Sequence, residues 1–108
     1  MLVRNTVLVT GATGFVGKAV SGKLFNLGFR VKQAVRDQTG QSSTFAVGNI
    51  STSTDWTAVL SNTDFVIHCA AHVMNETETD AMEAYRVVNV DSTRRLADQA
   101  AKMGVRRL

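Results

Sequence analysis

Three regularly spaced glycines are the residues in this sequence whose pattern most clearly indicates chemistry. Gly11, Gly14 and Gly17 follow an apolar run at residues 7–9 and open a segment whose apolar residues recur at helical spacing. A buried strand that enters a helix through glycines leaves backbone N–H groups at the helix N-terminus, where the helix dipole is positive. The pattern therefore predicts a turn that binds the pyrophosphate of a dinucleotide.

Each glycine has its own predicted role. Gly11 permits the tight turn, Gly14 leaves room for phosphates beside the backbone, and Gly17 lets the helix pack closely on the strand. The spacing is G-x-x-G-x-x-G rather than the usual G-x-G-x-x-G, and glycine-rich turns also serve as plain helix caps. The position between a strand and a helix favours nucleotide binding over a plain cap.

Two other groups of residues have the spacing of reactive sites. Tyr85 and Asn89 have the spacing of a Tyr-x-x-x-Lys pair, but an amide has no ammonium charge to activate a phenol, so we expect Tyr85 to be a surface or core residue. His68 and His72 flank Cys69, yet side chains at a strand end and in a loop would not converge on zinc, so we expect no metal site. His68 is instead predicted to be a strand-end residue with a satisfied hydrogen bond.

Composition excludes several functional classes. The 108 residues make one small domain, and no apolar run approaches the roughly 18 residues that a membrane span needs, so we expect no membrane association. The absence of an export signal and the single cysteine favour a cytoplasmic location. The net charge of +3 comes from dispersed basic residues with few aromatics among them, so we expect no nucleic-acid binding.

The rest of the sequence predicts alternating strands and helices. The predicted elements are a strand at 7–9, a helix at 15–27 ended by Gly28, strands at 29–35 and 45–47, a helical turn at 54–60, a strand at 64–71, and a long helix at 80–103 ended by Gly104. Residues 38–44 form a polar loop, and Trp56 is expected in the core rather than against a ligand.

This order of elements predicts an α/β fold. It is typical of a doubly wound parallel sheet of the Rossmann type, here incomplete, with only the strands of the 3-2-1-4 half. Residues 105–108 end where a further strand is expected to begin. We therefore expect a truncated chain whose fourth strand has no outer neighbour.

Several motifs resemble those of one enzyme family. TGATGFVG at 10–17, GNI at 48–50, VIHCAAH at 66–72 and VNVDST at 88–93 are similar to the extended short-chain dehydrogenase/reductases, the NAD-dependent epimerase/dehydratases of nucleotide sugars. HVMNET at 72–77 and the helix after it resemble the epimerases and 4-ketoreductases of bacterial O-antigen pathways. The resemblance implies that the pyrophosphate is held by Gly11, Thr13, Gly14, Phe15, Val16 and Gly17.

The same resemblance assigns the two ends of the cofactor. Asn49 and Ile50 would flank adenine; most members have Asp where Asn49 stands, and an amide can still meet the adenine edge. The nicotinamide ribose would lie against Ala70 and Ala71, with His72 close by. From the long helix Asn89 would support the active site, while Ser92 replaces the family's usual glycine.

The resemblance also implies that the family's catalytic residues are missing from this sequence. The family's catalytic Ser or Thr and its Tyr-x-x-x-Lys pair have no match here, so residues 1–108 are expected to be the N-terminal part of an NAD(P)-binding Rossmann domain, inactive alone. The full-length protein would act on a nucleotide sugar and could form a homodimer through helix 80–103. A non-catalytic NAD(P)-binding redox sensor on the same fold is the alternative.

The residues after the second strand predict a slight preference for NADP over NAD. Val35 stands where NAD-preferring relatives carry a ribose-binding Asp, and the V-R-D run is similar to that of NADP-dependent reductases in the family. The Arg36 guanidinium would pair with the 2′-phosphate. Asp37 argues the other way, because a carboxylate directed at the ribose would bind the 2′-OH and repel a phosphate.

Overall fold

The computed structural model describes residues 5–70 and 81–108. In these ranges the elements are, in order, β1 (Thr6–Thr10), α1 (Phe15–Asn26), β2 (Arg30–Val35), β3 (Thr44–Ala46), α2 (Thr57–Leu60), β4 (Phe65–His68), α3 (Ala81–Arg86), a π-helical segment (Val87–Asp91) and α4 (Ser92–Lys102). Each predicted strand and helix has a counterpart within a few residues of its predicted bounds.

The four strands form one parallel sheet in the order β3-β2-β1-β4, which confirms the predicted α/β doubly wound sheet and its strand order. The central strand is β1, in which every residue is buried because both faces of the sheet are covered there. Thr10 at its end is level with Ala34 in β2 and His68 in β4. The carboxyl ends of three strands therefore meet at Thr10.

The outer edge of β4 is not bare, contrary to the prediction from sequence. The N–H of Val66 donates to the carbonyl of Arg107 at 3.0 Å, and the N–H of Arg106 donates to that of Asp64 at 2.8 Å. Phe65 forms a parallel bridge with Arg107. Backbone pairing thus begins at residues 106–107, on the side of β4 where a fifth strand would lie.

Helices cover the two faces of the sheet with separate apolar clusters. On one face α2 and α4 enclose a cluster that includes Leu8, Leu60 and Leu96 together with Trp56. Trp56 is completely buried, which confirms its predicted place in the core. On the other face α1 packs over a smaller cluster centred on β1. Alternate residues of β1 supply both clusters, as the pleat of a strand requires.

The buried side of α1 combines small residues with two half-buried apolar ones, Val20 and Leu24, which pack on the cluster of β1. Gly17 and Ser21 are buried there, whereas Phe15 is 95% exposed and Val16 is 59% exposed. Phe15 and Val16, although part of the helical apolar spacing, therefore do not belong to the buried side of α1. The helix ends before Gly28 as predicted, and the φ of +93° at Gly28 explains why that position is glycine.

The long helix is not uniform. Residues 87–91 form a π-helical segment between α3 and α4, whereas a single α-helix was predicted over 80–103. Leu96 and Ala100 are buried in the core, whereas Ala101 is exposed. Gly104, with a φ of +82°, follows the last turn. Asn89 lies at the middle of the π-helical segment.

None of the helices within the described ranges has both the length and the apolar character needed to cross a membrane.

Candidate dinucleotide-binding site

Two independent constraints require glycine at position 11. Its φ is +61°, a backbone conformation that residues with side chains rarely adopt. A Cβ atom there would lie 2.7 Å from the backbone nitrogen of Ala70. The turn after β1 and the segment after β4 are therefore in backbone contact, and no larger residue fits between them.

Gly17 is required by the packing of α1. A Cβ atom on it would lie 2.1 Å from the carbonyl oxygen of Gly11 and 3.0 Å from the Cα of Ala12. The close packing predicted for this glycine is confirmed. The segment that it contacts is the turn just after β1, at Gly11 and Ala12, rather than the strand itself. The first turn of α1 is thereby fixed against the glycine turn.

Gly14 differs from the other two glycines. Its φ of −75° suits any residue, and a Cβ atom would approach just one described group, the carbonyl oxygen of Gly11, at 3.3 Å. A side chain at this position would need the Gly11 carbonyl to shift by a few tenths of an ångström, a much smaller conflict than at Gly11 or Gly17. What a side chain here would obstruct is the space in front of the α1 N-terminus.

The N-terminus of α1 is suited to an anion. Gly14 is the N-cap and makes no side-chain capping bond, and the first turn of the helix carries no acidic residue. By helix geometry the N–H groups of Phe15, Val16 and Gly17 have no acceptor within the helix. These N–H groups and the positive end of the helix dipole together match the chemistry of a pyrophosphate.

A cleft of about 450 Å³ lies at the carboxyl ends of the strands. It is lined by Gly11, Thr13, Ala34, Val35, Arg36, Val47, Gly48, Asn49, Ile50 and Ala70. The cleft thus brings together six predicted site residues that are far apart in the sequence: Gly11, Thr13, Arg36, Asn49, Ile50 and Ala70. The four predicted residues that do not line it, Gly14, Phe15, Val16 and Gly17, form the start of α1. Ala71 and His72 lie outside the described residues.

Four lining residues were not among the predicted site residues. Ala34 and Val35 are the last two residues of β2, and Val47 and Gly48 follow β3. They could have been predicted from the parallel pairing of β2 with β3, because this pairing places the carboxyl ends of the two strands at the same edge of the sheet.

Arg36 is at the rim of the cleft. Its side chain is 71% exposed, and Nε donates a hydrogen bond to Oδ2 of Asp37 at 3.2 Å. Such an exposed ion pair contributes little to stability, so the guanidinium can exchange this partner for another anion. A second, adjoining cleft is lined by Thr13, Val35, Arg36, Asp37 and Thr39.

A chain of hydrogen bonds fixes the segment after β4. Thr10 Oγ1 accepts from the N–H of Cys69 at 3.0 Å and from that of Ala70 at 3.2 Å. It also lies 2.6 Å from His68 Nδ1, and His68 Nε2 lies 3.1 Å from Thr93 Oγ1 in α4. The hydrogen bonding predicted for His68 is confirmed. The role of Thr10 was missed, although a hydroxyl residue between a buried strand and a glycine turn was a usable signal.

The bonds of Thr10 determine the protonation of His68. Because Thr10 Oγ1 already accepts two N–H groups, its own proton is donated to Nδ1 of His68. His68 is then a neutral imidazole with its proton on Nε2, which it donates to Thr93 Oγ1. The Thr93 hydroxyl donates in turn to the carbonyl of Asn89 at 3.2 Å. Burial lowers the pKa of His68 below its ordinary value, in agreement with a neutral ring.

Within residues 5–70 and 81–108, no three His, Cys, Asp or Glu side chains are grouped so that they could hold a metal ion. Cys69 is half-buried against the apolar cluster on the α1 face of the sheet.

A glycine turn between β1 and α1, beside a cleft at the carboxyl ends of parallel strands, defines an α/β protein of the Rossmann type. Residues 7–108 match the NAD dependent epimerase/dehydratase family. The chain belongs to this family.

Individual relatives agree with this assignment. The UDP-glucose 4-epimerase of Vibrio cholerae is 42% identical over 108 residues, which cover 95% of this chain and 33% of that protein. A short-chain dehydrogenase/reductase superfamily protein from Agrobacterium tumefaciens, solved with bound NAD, is 29% identical with a TM-score of 0.76 over 94% of this chain and 30% of its own. MoeE5, solved with UDP-glucose and NAD, is 30% identical with a TM-score of 0.75 over 94% of this chain and 34% of its own. The chain spans about a third of the length of these relatives.

Proposed function

We propose that this chain binds NAD(P) in the cleft at the carboxyl ends of its strands, as the cofactor-binding part of a nucleotide-sugar epimerase, dehydratase or reductase. The observation that carries the proposal is the N-terminus of α1 at Gly14, which has no side-chain cap and no acidic residue in its first turn. The 42% identity to a UDP-glucose 4-epimerase supports a UDP-sugar as the substrate class of the whole protein.

Each end of the cleft suits a different part of the dinucleotide. The N–H groups at the start of α1 would hold the pyrophosphate. Asn49 and Ile50 offer an amide and an apolar side chain to adenine, on one wall of the cleft. Ala70, packed on Gly11, leaves room for the nicotinamide ribose beside the backbone. When bound, the cofactor would take up hydride from a sugar carbon, and the described residues bind and orient it.

The finer proposal is a slight preference for NADP over NAD. It is supported by the exposed Arg36 guanidinium, which lines both adjoining clefts next to Thr13. Its bond to Asp37 uses one of the five N–H donors that a guanidinium carries. A 2′-phosphate at this rim could accept two parallel charge-assisted hydrogen bonds from it.

The central test is Gly14→Val, with Gly22→Val as its matched control. Both positions lie at or in α1, and Gly22 has no described atom within 4 Å of its Cβ direction. We expect Gly14→Val to weaken NAD(P) binding at least about tenfold in calorimetry, because the branched side chain fills the space of the pyrophosphate. Gly22→Val should bind like the native chain. Equal affinities for the two variants would rule out this site.

Three parts of the proposal stay predictions: a cytoplasmic location, a homodimer through helix 80–103, and catalysis by the full-length protein rather than redox sensing. Reading the coding sequence past Leu108 tests the last of them, because an enzyme of this family needs Ser or Thr and a Tyr-x-x-x-Lys pair there.

A further inference from the structure

The wall of the cleft that carries Asn49 and Ile50 belongs to a loop, residues 48–56, which we call the adenine-side loop. This loop is irregular, so its backbone groups need partners other than a strand ladder. Two side chains from α4 supply them. Arg95 Nε donates to the carbonyl of Thr54 at 2.6 Å, and the N–H of Trp56 donates to Gln99 Oε1 at 2.9 Å.

Further bonds connect these two anchors to the cleft. Thr54 Oγ1 accepts from the N–H of Ser51 at 2.8 Å and lies 3.5 Å from the carbonyl of Asn49, to which it donates. Ile50 packs against the apolar cluster that contains Trp56. A displacement of Thr54 or Trp56 would therefore move Asn49 and Ile50 with it.

The two anchoring side chains lie on one side of α4. Arg95 and Gln99 are four residues apart and half-buried, so they are neighbours on the helix surface. Leu96 and Ala100 pack into the core one position further on, whereas Arg94 and Asp98 are exposed. This side of α4 contacts the adenine-side loop and offers it a donor and an acceptor.

We propose that Arg95 and Gln99 are positioning residues for the adenine end of the dinucleotide, acting through the adenine-side loop. This inference rests on the proposed function, since it requires that adenine lies against Asn49 and Ile50. Neither residue touches the cofactor. Their effect is confined to one end of the cleft, because Ala70 at the other end is held by Thr10.

The test compares two halves of the cofactor, AMP and nicotinamide mononucleotide, which carry one phosphate each. Gln99→Met removes the acceptor for the Trp56 N–H at similar volume, whereas Gln99→Glu keeps an acceptor oxygen. We expect Gln99→Met to weaken AMP binding about fivefold in NMR titrations, with nicotinamide mononucleotide unaffected. Gln99→Glu should retain the native ratio of the two affinities. Arg95→Met should behave like Gln99→Met, and Arg94→Met serves as the exposed control.

A measurement on the native chain covers the case in which a variant fails to fold. Trp56 is the single tryptophan, so nitrogen-15 labelling of tryptophan alone gives one backbone amide signal, which belongs to Trp56. AMP should shift the backbone amide of Trp56, and nicotinamide mononucleotide should not.

The outcomes separate the two proposals. Binding of neither half-cofactor to the native chain would overturn the proposed function and this inference with it. Binding of both, with Trp56 shifted equally by each or with the same affinity ratio in Gln99→Met and Gln99→Glu, would overturn the inference alone.

Discussion

A guanidinium at the end of β2 is well placed to select between two cofactors that differ by one phosphate. Arg36 is exposed, so its charge is available without a desolvation cost, and its present partner Asp37 is a neighbour that gives it little stability. In the proposed site, selectivity would depend on which of the two side chains approaches the ribose.

Arg36→Ala should therefore change cofactor preference. We expect NADP to bind about 10- to 100-fold more weakly while NAD affinity changes less than about threefold, because the lost charge-assisted bonds go to the 2′-phosphate. Arg30→Ala is the control, since Arg30 is an exposed arginine at the other end of the same strand. Dissociation constants at fixed ionic strength give the comparison. An unaltered NADP/NAD ratio in Arg36→Ala would remove the case for this preference.

Protonation of the His68 ring would change the hydrogen bonds that hold the segment beside the cleft. A proton on Nδ1 would break the bond from Thr10, whose hydroxyl already accepts two N–H groups. Burial disfavours the charged ring, so the pKa of His68 in the folded state lies below the value of about 6.5 that an unfolded chain has. At pH above 6.5 the ring is neutral in both states and its contribution to stability is complete. As pH falls below 6.5 the unfolded state binds the proton first, and stability is lost.

His68→Asn should reduce this loss at low pH. The Asn carbonyl can take the place of Nδ1 as an acceptor, but it does not titrate. Urea unfolding of both proteins at pH 7.5 and pH 5 gives the free energies. The native chain should lose more stability than the variant over this interval, because its unfolded state takes up a proton on His68 more readily than its folded state does. Parallel losses would show that His68 does not titrate differently on folding.

At the scale of elements, α1 can contact the glycine turn because Gly17 has no side chain. A methyl group on Gly17 would lie 2.1 Å from the Gly11 carbonyl oxygen, so the helix would have to move away. We expect Gly17→Ala to lower the free energy of unfolding by about 1–3 kcal/mol. Gly22→Ala, in the same helix with open space around it, should raise it by about 0.5–1 kcal/mol through helix propensity. Denaturant unfolding measures both, and a stabilised Gly17→Ala would contradict the packing described here.

Local patterns predict the elements and their order, because strand burial and helical periodicity are recorded in neighbouring residues. The three glycines and Arg36 were selected as site candidates for the same reason. Spacing within one element does not show which of its apolar residues are buried: Phe15 and Val16 belong to the helical apolar pattern, yet both are exposed. The π-helical segment and the anchors Arg95 and Gln99 likewise depend on how two elements pack, which spacing within one element does not reveal.

At the scale of the whole molecule, residues 1–108 are predicted to bind a cofactor but to convert no substrate. We expect no epimerisation of UDP-glucose and no reduction of NAD or NADP by this chain, because the family's proton-transfer pair has no match in it. Mass-spectrometric and absorbance assays test this, with Gly14→Val purified in parallel as a blank for host enzymes. Turnover by the native chain above this blank would contradict the prediction and give Tyr85 a new role.

The contact of Gly11 with Ala70 also has a consequence for the order in which the protein becomes functional during synthesis. Ala70, which lines the cleft, follows Gly11 by 59 residues in the sequence. The pairing of β1 with β4 must form across a similar separation. Ribosomes add about 5–20 residues per second, so the glycine turn is made on the order of 3–12 s before Ala70. During that interval β1 lacks β4 on one side, and its apolar residues depend on other partners or on chaperones. The proposed dinucleotide site would therefore be complete only after Ala70 is made, seconds after the glycine motif that predicts it.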